Sequence, residues 1–115
     1  MSIVAKVLIA LIALKHFYFL ALEMFLWTTP RGLRTFRMTP EKAEMTAVLA
    51  KNQGLYNGFI AAGLVWSLWA GRDVSIFFLV CVIVAGVYGA LTAARSILFV
   101  QALPGAIALA AVLLS

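Results

Sequence analysis

The chain has 115 residues, of which 65% are hydrophobic and 11% charged, and its formal net charge is +5. A soluble domain is nearer half apolar and a quarter charged, so the composition is that of a single-domain membrane protein. The basic residues lie between apolar runs rather than on a soluble basic domain, which argues against nucleic-acid binding, and the single Cys81 excludes an internal disulfide.

The first apolar run, about 3–27, is long enough to cross a bilayer, because about 20 residues at 1.5 Å each cover roughly 30 Å of hydrocarbon. It lacks a small-residue cleavage site ahead of a soluble region and reads as a retained span rather than a signal peptide. It nevertheless carries Lys15, His16 and Glu23. An ionisable group near the bilayer centre costs at least ~2.5–3.5 kcal/mol, so such groups face a protein interior and find partners there. His16 and Glu23 return to nearly the same helical angle after two turns, about 10 Å apart along the axis.

Trp27 suits the membrane interface, and the breakers Pro30 and Gly32 are expected to end the first helix. Residues 28–51 form a loop with Arg31, Arg34 and Arg37, followed by a short amphipathic helix. Thr39 is its expected cap, Pro40 takes the first helical position, and Glu41 suits the positive end of the helix dipole. This lead-in either lies on the membrane or runs straight into the second span, about 52–70. There Gly54, Gly58 and Ala62 recur at the four-residue spacing that lets another helix approach closely. Span three, about 74–91, repeats that spacing at Ala85 and Gly89. Span four, about 97–114, holds Gln101 and a kink expected at Pro104-Gly105.

The expected architecture is therefore all-α, an integral membrane four-helix bundle with a short amphipathic cytoplasmic helix. Four spans put both termini on one side, with Lys6 and Arg72. The other side carries Arg31, Arg34, Arg37, Lys42, Lys51 and Arg95. The positive-inside rule places loops one and three in the cytoplasm and both termini outside.

Depth along each span then picks out candidate residues. Glu23 lies about 6 Å from the cytoplasmic interface, Asn57 and Gln101 roughly 9 Å, and Tyr88 about 10 Å, counting 1.5 Å per residue. Gln53 sits just above this layer and His16 deeper. Glu23, Asn57, Gln53, Gln101, Tyr88 and His16 are the candidate ligand-binding residues. Amides, imidazoles and phenols in membrane helices also serve simply to bond helices together. One His, one Cys and one intramembrane Glu do not make a metal site, and no cofactor motif is present.

The segments Leu14-Lys15-His16-Phe17-Tyr18-Phe19, Leu22-Glu23-Met24-Phe25-Leu26-Trp27 and Asn52-Gln53-Gly54-Leu55-Tyr56-Asn57-Gly58-Phe59 resemble a family of small bacterial four-span membrane proteins, catalogued as domain of unknown function 1304. The resemblance extends to Gln101 and Pro104. It implies architecture and a bacterial inner-membrane location, not an activity.

The leading functional expectation is binding of a small amphipathic ligand or lipid headgroup in a polar pocket near the cytoplasmic leaflet. Alternatives are a proton-coupled exporter using Glu23, a membrane-embedded enzyme on a lipid-soluble substrate, and a structural subunit of a membrane complex. The expected partners are the bilayer, the ligand, and a second copy of the chain through Gly54, Gly58 and Ala62 or through Ala85 and Gly89.

Overall fold

A computed structural model describes residues 1–115 and is all-α, 86% helical with no strand. The helices are α1 (Ile3–Met24), α2 (Pro30–Phe36), α3 (Pro40–Ala70), α4 (Arg72–Thr92) and α5 (Leu103–Leu113), with a π-helical turn at Leu98–Ala102 leading into α5. Of these, α1 and α4 are long and apolar enough to cross a membrane. Only 28% and 22% of their apolar windows are buried, unlike the core helix of a soluble protein. The continuous run Leu98–Leu113 is apolar but shorter, and α3, though 31 residues long, dilutes its apolar half with Gln53, Asn57 and three glycines.

Several boundaries differ from those read in the sequence. The first helix ends at Met24 rather than near Trp27, and Pro30 and Gly32 begin a helix instead of prolonging a loop. Thr29 explains this. Its hydroxyl accepts from the Gly32 N–H and donates to the Leu26 carbonyl, while Pro30 occupies the opening turn, where a missing N–H costs nothing. The α2 helix closes at Arg37, whose φ of 51° is left-handed and lets the Met38 N–H reach the Leu33 carbonyl. The amphipathic lead-in is not a separate helix: Pro40 to Ala70 is unbroken. Thr39 accepts from the Lys42 N–H as the expected cap.

Contacts group the chain into two compact units, Leu14–Ala61 and Met1–Ala13 with Ala62–Ser115. In Leu14–Ala61, the second half of α1 runs antiparallel to the first part of α3. His16 bonds Asn57, and Trp27 Nε1 donates to Thr46 Oγ1 at 3.1 Å. The two bonded pairs are spaced alike, 11 positions from His16 to Trp27 just past the end of α1 and 11 from Thr46 to Asn57 on α3, so one register serves both ends. The seam of α3 is made of small residues. A Cβ at Gly54 would lie 2.6 Å from Met24 Cγ and 3.0 Å from Glu23 Cβ, and one at Gly58 would lie 2.6 Å from Leu20 Cδ1. The neighbour that the glycine spacing accommodates is thus the chain's own α1.

In the other unit, α4 packs on the segment 97–113 through Gly86, Gly89 and Gly105. The Gln101 amide donates to the Val82 carbonyl at 3.1 Å beside the Gly86–Ala102 approach. Pro104 has no N–H to give the helical ladder, and the backbone widens there, the Leu103 N–H reaching the Leu98 carbonyl. Gly71, between α3 and α4, has φ +114° and ψ −175°, a conformation reserved for glycine.

The two glycine contacts differ in kind. At Gly86 a Cβ meets backbone, 2.7 Å from Ala102 N and 3.0 Å from its Cα, whereas at Gly58 it meets the tip of a flexible leucine. Gly86→Ala is expected to lower stability by about 1–3 kcal/mol through overpacking. Gly58→Ala is expected to stay within about 1 kcal/mol, because Ala is favoured over Gly inside a helix by about 0.5–1 kcal/mol. Thermal unfolding of the two variants in detergent checks the order.

Candidate functional site

The polar groups of α1 fall on its buried stripe. Ile9, His16 and Glu23 are spaced by seven, and all three are buried, His16 to 1% and Glu23 to 8% exposure. The facing stripe of α3 is Ala50, Gly54, Asn57, Gly58 and Ala61, of which only Asn57 has a polar side chain. Flanked by two glycines, the short Asn57 side chain reaches both polar residues of α1. Its Oδ1 lies 3.0 Å from His16 Nδ1, and its Nδ2 donates to Glu23 Oε1 at 2.5 Å.

These bonds have a direction. With the Asn57 N–H turned to the carboxylate, its oxygen faces His16, so Nδ1 carries the imidazole proton and donates. Nε2 is then a lone pair. It is fully buried and has no partner. A buried polar atom left unpaired costs about 1–3 kcal/mol. At the other end, the carboxyl takes a hydrogen bond from Asn57. The Phe19 ring stands edge-on to the imidazole at 5.6 Å.

The expected six-residue layer is brought together only in part. His16, Glu23 and Asn57 form one chain, although His16 looked two turns too deep to belong with Glu23. The axial gap of about 10 Å between them is filled by a side chain from the facing helix. Gln53 shares the Asn57 helix but is exposed. Gln101 and Tyr88 belong to the other unit. There Gln101 bonds the Val82 carbonyl, as an amide that ties helices together does, and Tyr88 is exposed. Lys15 is half-buried.

Two further polar contacts were missed in the sequence. Trp27 donates to Thr46 and stacks at 4.7 Å on Phe36 of α2, which ties the α1–α3 connection to the seam. Arg31 Nη1 donates to the Tyr18 hydroxyl at 3.4 Å. The signal for the first was available: an antiparallel register that pairs 16 with 57 also pairs 27 with 46.

An all-α chain with two helices of membrane-crossing length, and a buried His–Asn–Glu chain joining α1 to α3, defines the class. The family described as "Protein of unknown function (DUF1304)" matches residues 10–113, and the chain belongs to it. The resemblance read from the α1 and α3 motifs is therefore correct. A relative, the "Uncharacterized protein YpaA" of Lactococcus lactis subsp. lactis (strain IL1403), is 35% identical over 106 residues, covering 88% of this chain and 89% of the relative. No solved structure matches the chain significantly.

Removing the bridge strands both of its ends. Asn57→Leu is expected to cost about 1–3 kcal/mol, since it leaves a buried carboxyl and a buried imidazole without their shared partner. Gln53→Leu, one turn away and exposed, is expected to stay within about 0.5 kcal/mol. Unfolding of both variants in the same detergent measures the difference.

Proposed function

We propose that the chain is a small multi-pass membrane protein that binds an amphipathic ligand, with the ligand's polar head at Glu23 near the cytoplasmic leaflet. The observation that carries this reading is the state of Glu23. It is a carboxyl buried to 8% exposure at the helix seam, and the group that meets its Oε1 is the neutral Asn57 amide rather than a cation. Structural carboxyls inside apolar surroundings are normally paired with a cation or fully hydrogen-bonded.

In this reading α1, the second half of α3, α4 and the run 98–113 each pass through the bilayer. Loops one and three, with Arg31, Arg34, Arg37, Lys42, Lys51 and Arg95, lie in the cytoplasm, and both termini lie outside. Trp27, bonded to Thr46, marks the interface end of the seam, with Glu23 one turn inside it. The apolar, largely exposed outer faces of α1 and α4 support lipid as their solvent.

Native mass spectrometry of the protein released from its membrane tests the reading. The wild-type chain is expected to carry a small-molecule adduct that survives Gln101→Ala and is lost in Glu23→Ala. A bare protein mass in every preparation, including after incubation with extracted membrane lipids, would contradict it.

A further inference from the structure

We propose that the head of the ligand is a hydrogen-bond-donating cation, a primary ammonium group, and not a phosphate or carboxylate. This rests on the reading of Glu23 as the ligand site and names the class of ligand it takes.

The polarity of the bonded chain carries the inference. Every proton in it points toward Glu23: His16 Nδ1–H donates to Asn57 Oδ1, and Asn57 Nδ2–H donates to Glu23 Oε1. With Glu23 ionised, the end of such a chain offers lone pairs only, so a ligand there must bring the protons. An anionic head would place like charge against the carboxylate with no donor to separate them.

The far end of the chain is a ring nitrogen left unpaired in either tautomer, so the two arrangements differ at the carboxyl. His16 Nε2 is buried, and nothing bonds it. In the Nδ1–H tautomer that atom is an unfilled acceptor. In the reverse arrangement it is an unfilled donor, and the Asn57 oxygen faces the carboxyl, which must then be protonated. Asn57 has no freedom to sit elsewhere, because Gly54 and Gly58 hold α3 against Leu20, Glu23 and Met24 on either side of it. A cation at Glu23 is therefore matched by the arrangement observed.

The charges of Leu14–Ala61 lie mostly on its exposed surface, with Lys15 half-buried and Glu23 buried. The arginines of the connection lie outside the seam: Arg31 is engaged with the Tyr18 hydroxyl, while Arg34 and Arg37 are exposed, as are Lys42 and Lys51 on α3. The glutamates Glu41 and Glu44 are exposed as well, so Glu23 is the one buried acidic group of Leu14–Ala61. The bond that the Glu23 carboxyl receives across the seam comes from the neutral Asn57 amide, so its negative charge is not matched there by a cation.

Three probes of one tail length in a neutral maltoside detergent decide the matter: dodecylammonium, dodecyltrimethylammonium and dodecyl phosphate, with binding read from Trp fluorescence and confirmed by native mass spectrometry. Dodecylammonium is expected to bind at least tenfold more tightly than dodecyl phosphate. It is also expected to bind more tightly than dodecyltrimethylammonium, which has the charge without the donors. Glu23→Gln is expected to weaken it at least tenfold, and Glu44→Gln to leave it unchanged. Because Glu23→Gln removes a buried group, Glu23→Asp serves beside it and is expected to retain binding if folded by circular dichroism. The order of the three probes on the wild-type protein needs no variant. Binding of dodecyl phosphate in preference to the ammonium, lost in Glu23→Gln, would overturn the cation assignment and leave Glu23 as a ligand site. Binding of none of the three, with no native adduct, would overturn both. Ammonium binding that ignores Glu23 would overturn the cation assignment at this site.

Discussion

The close approach of α1 to α3 is the constraint on which the rest of the Leu14–Ala61 unit depends. Asparagine has a short side chain, and it can join two groups spaced seven residues apart on a facing helix only if the helices nearly touch. Gly54 and Gly58 provide that proximity, one on each side of Asn57, with Leu20, Glu23 and Met24 filling the space that a Cβ would take. The Trp27–Thr46 bond fixes the same register three turns away, so the polar contact is set by backbone geometry at one end and by an aromatic anchor at the other. Shape complementarity and hydrogen bonding therefore specify one arrangement together. Either alone would tolerate a slip along the seam.

The unit formed by Met1–Ala13 and Ala62–Ser115 uses the same physics for a different purpose. Gly86 lets the backbone of residue 102 approach α4, and Gln101 closes the contact by bonding a main-chain carbonyl. No acidic or imidazole side chain is involved, and nothing there calls for a ligand. The contrast separates two uses of polar residues on the seams between helices. An amide bonded to a backbone carbonyl is satisfied and stays silent. An amide held between an imidazole and a carboxyl passes its orientation from one to the other.

Much of the helical order was legible from hydropathy and capping. Thr39-Pro40-Glu41 announces the start of α3, and the runs of α1 and α4 are too long and apolar for anything but helices. The misjudged segment was Thr29-Pro30-Arg31-Gly32. Pro and Gly count as breakers by composition, yet with a Thr ahead of them they open a helix, because a breaker's effect depends on which turn it occupies. At the site, the sequence singled out Glu23, Asn57 and His16, but depth alone grouped Glu23 with Gln101 and Tyr88. Depth ignores direction around the helix. His16 and Glu23 share an angle, and Asn57 faces it, whereas Gln53 faces away. The bridging role of Asn57 needed the helix-to-helix distance, which spacing on one helix does not contain.

The direction of the hydrogen-bond chain is the central claim, and the protein contains a single histidine through which to observe it. Nitrogen-15 NMR of the histidine-labelled protein in lipid reports the protonation of each ring nitrogen of that one imidazole. A neutral ring with Nδ1 protonated and Nε2 bare is the expected result, the state in which Asn57 turns its N–H to Glu23. A ring with Nε2 protonated and Nδ1 bare, or with both nitrogens protonated, would contradict the account.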